Sequence, residues 1–185
     1  MIYPIVAYGT PVLKKKAKEI EKEGEINVAQ LVEDMFETMY AANGVGLAGP
    51  QIGKALRIFV VDAEALDEEN LKGFKKAFIN PIMVEEHGEK WAFEEGCLSI
   101  PSIRENVVRH NTITIKYFDE NWEEHEDTFD DLKARVIQHE YDHIEGILFT
   151  DHLSSLKKRL LKGKLNNISK GKVEHDYRMK FPEKK

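Results

Sequence analysis

The chain has 185 residues, 42% apolar and 32% charged, which suits one globular domain with a core of its own. No stretch approaches the ~18 consecutive apolar residues of a membrane span, and the start lacks a basic segment followed by a long apolar one, so neither a membrane protein nor a secretory leader is expected. A single cysteine, Cys97, excludes an intramolecular disulfide framework and suits a reducing cytosol.

The net charge of −6 is unevenly spread. Residues 157–185 carry eleven Lys/Arg against three Asp/Glu, leaving 16 against 30 in residues 1–156. An acidic body with a basic end points to a polyanionic partner for that end, or to no more than a solvated helix face.

Tyr8-Gly9-Thr10-Pro11 predicts a turn, and the charged run from Lys14 to Glu25 an exposed connection. From Ile26 to Ala42, Val28, Leu31, Val32, Met35, Phe36 and Met39 recur at helical spacing, with Asn43-Gly44 as the stop. Gly44 to Gly53 then holds four glycines in ten residues, a backbone that turns sharply or admits a close neighbour. It lacks the Gly-Lys-Ser/Thr ending of a phosphate loop and better suits the lining of a small site, with Gln51 offering an amide donor.

Arg57–Asp62 reads as a short apolar strand and Glu64 to Lys76 as an irregular excursion. Phe78–Val84 reads as a strand in which Pro81 demands an edge position or a bulge. After a turn at His87-Gly88, strands are predicted at Lys90–Glu95, Arg104–His110, Thr112–Phe118 and His125–Phe129. A helix follows from about Asp131 to Glu145, with Asp130 or Asp131 as cap and Gly146 as stop. A last helix starts near Ser154 or Ser155, with Leu156, Leu160 and Leu161 as its apolar positions.

Strands in the middle with helices at both ends argue for α+β: mainly antiparallel sheets packed around the helix at 131–145, with N-terminal and C-terminal helices outside. The expected division is a single domain over residues 1–165, including the start of the last helix, and a basic tail over 166–185 that is mobile beyond Ser169.

The chemistry concentrates in Gln138-His139-Glu140-Tyr141-Asp142-His143. On a helix, His139 and His143 leave the same face one turn apart and can grip one metal ion, and Glu140 can reach the same cleft as a proton carrier. Leu132, Val136, Ile137, Ile144, Ile147 and Leu148 surround the motif with apolar positions. Buried imidazoles and a buried carboxylate need a partner, and a metal supplies one.

A catalytic metal needs a third protein ligand and one open position. A lone cysteine is commonly a small buried hydrophobe. Yet Cys97 sits in a glycine-containing turn, Glu95-Gly96-Cys97-Leu98-Ser99, and is a candidate third ligand. A thiolate with two imidazoles suits Fe(II), Zn(II), Co(II) or Ni(II).

The chain carries three motifs in fixed order: Gly44-Val45-Gly46-Leu47-Ala48-Gly49-Pro50-Gln51, Glu95-Gly96-Cys97-Leu98-Ser99 and Gln138-His139-Glu140-Tyr141-Asp142-His143. Together the chain resembles the peptide deformylases, whose patterns are Gly-x-Gly-Leu-Ala-Ala-x-Gln, Glu-Gly-Cys-Leu-Ser and Gln-His-Glu-x-Asp-His. The one departure is Gly49 in place of alanine, expected to loosen the loop slightly.

The resemblance implies removal of the formyl group from the N-terminal formylmethionine of new proteins, with release of formate. It implies one divalent metal held by Cys97, His139 and His143, natively Fe(II), with zinc, nickel and cobalt forms also occurring. In that scheme hydroxide from the metal attacks the formyl carbon, Glu140 carries the proton to the leaving amine, and the Gln51 amide and Leu98 N–H hold the oxyanion. Substrate would lie along Gly44, Val45 and Gly46, with Val45 and Val136 as candidates for the methionine pocket; plain core packing explains Val136 equally well. Glu95 is expected to pair with Arg104 and steady the Cys97 turn. Tyr141 and Asp142 are expected to support the helix, and His152 to lie at the surface or cap.

The basic C-terminal helix is expected to dock on the ribosome near the nascent-chain exit. A bacterial cytoplasmic location is expected, with no membrane or DNA partner. Two rivals remain: a zincin-type metallopeptidase, which would take its third ligand downstream and need no Cys97, and a non-catalytic metal-stabilised module indifferent to Glu140.

Overall fold

The computed structural model describes residues 1–183. In chain order the elements are β1 (Ile5–Val6), α1 (Val28–Ala41), β2 (Gly46–Ala48), β3 (Ile58–Asp62), β4 (Lys75–Cys97), β5 (Ile100–Phe118), β6 (Glu124–Asp130), α2 (Asp131–Ile144), α3 (Ser155–Ser169) and β7 (Met179–Lys180). The expected α+β class is observed. β2 to β6 form one antiparallel sheet in sequential order, so β2 is an edge strand, and β1 pairs with β7 in parallel.

α1 starts where the Asn27 side chain accepts the Gln30 N–H at 3.1 Å. Its periodic residues Leu31, Val32, Met35 and Met39 are buried against Leu47, Ile58 and Val60 of the sheet. α2 lies across the other side, where Ala134, Ile137 and Ile144 pack with Phe59, Phe78, Ile113 and Ile115. Asp130 occupies the N-cap of α2 without a side-chain bond, and Gly146 at φ +76° follows its end. The metal-motif helix is therefore one of the most enclosed parts of the chain, with Ile137 and Ile144 fully buried.

Several boundaries differ from the sequence expectation. The strands predicted at Phe78–Val84 and Lys90–Glu95 are one 23-residue strand, β4. Its interruptions are register shifts at Ile79/Ile82 and His87/Lys90, so Pro81 sits at a bulge inside the sheet and His87-Gly88 is no chain reversal. Arg104–His110 and Thr112–Phe118 likewise merge into β5. Within Lys14–Glu25, Ala17 and Ile20 are buried anchors.

The division placed between residues 165 and 166 falls inside α3, because the face that packs is Leu161, Leu165 and Ile168. Leu156 and Leu160, expected on the apolar side, are instead 63% and 67% exposed. Beyond α3 the chain returns to the body. β7 lies beside β1, Ile5 N–H donates to the Arg178 carbonyl at 2.9 Å, and Val173, Met179 and Phe181 pack on the cluster holding Leu13 and Phe149.

Candidate active site

β4 and β5 meet in a two-residue turn, Leu98-Ser99, because Cys97 pairs directly with Ile100. The tip of this hairpin stands over α2. Cys97, His139 and His143 offer one ligand atom each, all within 4.8 Å of one another, and Cys97 Sγ is 3.4 Å from His143 Nε2. The spacing of the histidines on α2 and the turn that carries the thiol bring together the three residues expected from the motifs.

Behind His139 lies Glu95, itself buried. Arg109 grips it with two bonds, Nε to Oε2 at 2.7 Å and Nη2 to Oε1 at 3.0 Å, and Arg135 Nη1 donates to Oε2 at 2.8 Å. His139 Nδ1 is 2.8 Å from Glu95 Oε1. Burial alone would raise the Glu95 carboxyl, but the bonds from His139 and Arg109 outweigh it and hold the carboxyl well below its ordinary range. An ionised Glu95 assigns the His139 proton to Nδ1 and turns the Nε2 lone pair toward Cys97 and His143, the orientation a metal ligand needs.

The expected Glu95–Arg104 pair does not form. Arg104 lies opposite Gly96 and shares a face of the hairpin with Glu94, to which its Nε donates at 2.9 Å in an exposed pair. Glu95 points to the other face, with Trp91 and its cross-strand partner Arg109. Strand parity decides the partner. Arg109 also reaches Asp142 at 2.9 Å, and Asp142 accepts from His152 at 2.7 Å, so Asp142 supports the network while His152 sits at its half-exposed end.

On the cleft side the environment is opposite. Glu140 is buried, its Oε2 has no hydrogen-bond partner among the described residues, and burial pushes the carboxyl up to about 7 despite the pull of His139. A Cβ at Gly46 would stand 2.6 Å from Glu140 Oε1, so only glycine lets this carboxylate lie against the β2 backbone. His143 is held neutral, chiefly by burial, and its Nδ1 is also unpartnered among the described residues.

Gln51 is buried with its Oε1 accepting the Ala48 N–H at 3.0 Å. That bond aims Nε2 at Cys97 Sγ, 3.4 Å away, and at Ser99 Oγ, 3.3 Å away. The loosening expected at Gly49 is absent. The backbone closes in, and a methyl there would meet the Leu56 carbonyl at 2.8 Å.

These groups open into one cleft of about 690 Å³. Gly44, Val45, Gly46 and Val136 line it as expected, although Val45 and Val136 also pack on the core beside Ile137. The cleft has a wall the sequence did not announce. Glu174, His175, Asp176 and Tyr177 line it, and the Tyr177 hydroxyl donates to the Leu98 carbonyl at 2.6 Å. Arg109 and Arg135 were also missed; alternation along β5 and the one-turn offset from His139 on α2 are the signals that point to them.

The donor set fits a divalent metal. One thiol and two imidazoles converge, one imidazole is oriented by a carboxylate, and a second carboxylate, whose Oε2 has no partner among the described residues, stands beside them.

A family model described as polypeptide deformylase matches residues 2–159. A peptide deformylase of Cytophaga hutchinsonii is 60% identical over 185 residues, covering all of both chains. One of Christiangramia forsetii is 59% identical over 194 aligned positions, covering all of this chain and 98% of its own. The crystal structure of a peptide deformylase from Legionella pneumophila superposes with a TM-score of 0.80 at 39% identity, covering 95% of this chain and all of its own. That from Thermus thermophilus gives 0.81 at 36%, covering 93% of this chain and all of its own. A hairpin-tip thiol above a His-Glu-x-x-His helix, with the family pattern running across most of the sequence, leaves one conclusion: this chain belongs to the peptide deformylases, metal-dependent hydrolases that remove the formyl group from N-terminal formylmethionine.

Proposed function

We propose that this chain deformylates nascent polypeptides with Cys97, His139 and His143 as metal ligands, Glu140 as the proton carrier, and the Gln51 amide and Leu98 N–H as oxyanion donors. The observation that carries the reading is the unpartnered, buried Glu140 carboxylate beside three converging ligand atoms. When bound, the divalent ion acts as a Lewis acid that makes hydroxide available near neutral pH.

The chain's own groups supply the rest. With its proton affinity near 7, Glu140 can take a proton at its free oxygen and return it to the leaving amine. Gln51 is neutral and fixed through its carbonyl, so its Nε2 donates to developing negative charge without altering the charge beside the ligands. Leu98, next to the thiol on the same tight turn, presents its N–H from a position tied to Cys97. β2 is an edge strand, and an extended peptide can add to it along Gly44, Val45 and Gly46, with Val45 and Val136 against the methionine.

The metal is Fe(II) in this reading, with Zn(II), Ni(II) or Co(II) taken up in preparations, since a thiolate with two imidazoles accepts all four. Formate release from formyl-Met-Ala-Ser by protein purified without air, with metal measured on the same sample, tests the assignment. One metal per chain without formate release would overturn it.

The same reading places the protein in the bacterial cytoplasm. No helix among the described residues is long and apolar enough to cross a membrane. α3 is proposed to dock on ribosomal RNA: Leu156 and Leu160 are exposed beside Lys158, Lys162 and Lys164. Reversing Lys162 and Lys164 should abolish co-sedimentation with ribosomes at low salt; retained binding would remove this partner.

A further inference from the structure

The segment that follows α3 lies outside the residues the family model matches, yet it lines the cleft. It is built in. β7 pairs with β1, and Ala7 N–H donates to the Lys180 carbonyl at 2.9 Å. Tyr177 bonds the Leu98 carbonyl, and His175 Nδ1 is 2.8 Å from the Tyr177 carbonyl with its ring against Phe181. These contacts hold Glu174 and Asp176 at the rim, where both are exposed.

Rim charge decides what they face. Glu94 and Arg104 also line the cleft, but they pair with each other and cancel. Lys172 and Arg178, from the same segment, are not among the lining residues. Among the described residues neither Glu174 nor Asp176 takes part in an ion pair, so the unpaired charges lining this cleft include two carboxylates. Glu174 and Asp176 line the same cleft as Glu140 and Gly44 to Gly46.

We propose that the C-terminal segment is a specificity wall, in which Glu174 and Asp176 select formylated peptides carrying lysine or arginine at the second residue after the methionine. This rests on the deformylase reading above. Two exposed carboxylates acting on one cation act mainly on encounter and binding, so the effect belongs to KM and fades with salt.

The test compares formyl-Met-Ala-Lys and formyl-Met-Ala-Glu, both amidated at the C-terminus so that the side chain carries the only charge. The holoenzyme should show a KM about three- to tenfold lower for the lysine peptide at low ionic strength, the range expected of exposed ion pairs. In ~0.5 M salt the ratio should fall below about two. The charge-reversed variant E174K/D176K should invert the preference toward glutamate. Equal KM values in the wild type, or a preference that survives the reversal, overturns the wall. Release of formate from neither peptide overturns the deformylase reading itself.

Discussion

Glu95 and Glu140 are two buried carboxylates near His139, and the surroundings treat them oppositely. Glu95 receives two arginines and an imidazole, so it stays ionised and fixes the ring. Among the described residues Glu140 receives no bond at Oε2, and it is raised to about 7 by burial. The number of donors separates a group that holds geometry from one that can exchange a proton at working pH. Burial is common to both and decides nothing by itself.

The sharpest way to test that division is to remove each carboxylate's charge. Glu140→Gln should keep its metal and lose about 10²–10⁴ of kcat in formate release, the range for a positioned proton carrier. A variant retaining a tenth of the rate would move Glu140 to the structural side. Glu95→Gln should do the reverse. It leaves Arg135 without its counter-charge and Arg109 with Asp142 alone, and breaking such a buried network costs about 3–5 kcal/mol in denaturant unfolding. Activity that survives in the folded fraction would confirm that Glu95 acts through position.

Acid and base then pull the two apart in opposite directions. The Glu95 carboxyl is held below its unfolded value near 4.5, so its contribution is present above that value and is lost as pH falls beneath it. The Glu140 carboxyl lies above its unfolded value, so it costs nothing below about 4.5 and its full penalty, about 3 kcal/mol at most, is reached above 7. In chelator-treated protein, Glu140→Gln should therefore match wild type at pH 4.5 and exceed it in stability at pH 8. Equal stability at both values would show that Glu140 finds a partner in solution. The smallest effect belongs to Arg104. Its pair with Glu94 is exposed, and Arg104→Ala should change stability by no more than about 1 kcal/mol.

Arg104 also shows where the sequence was readable and where it was not. The pairing of His139 with His143 followed from residue types at fixed spacing, since i and i+4 on a helix share a face whatever the rest of the fold does. The partner of Glu95 required the register of two long strands. Alternation from Trp91 to Gly96 puts Glu94 with Arg104 and Glu95 with Arg109, but bulges hidden at Ile79/Ile82 and His87/Lys90 made those strands look like four. α1 was legible to within two residues because its apolar period is uninterrupted. The wall made by Glu174 to Tyr177 left no period at all, because two-residue strands such as β1 and β7 carry too few side chains to make a pattern.

That short parallel pairing has a consequence for how the molecule breathes. Ile5 and Met179 are partners across nearly the whole chain, in a ladder of two residue pairs. Closing so long a loop costs entropy, so this contact is expected to open before the hairpin of β4 and β5. Amide hydrogens at Ile5, Ala7 and Tyr177 should exchange long before those of β3. If they do, the outer side of the cleft can give way to release one peptide and admit the next without disturbing the groups beside His139.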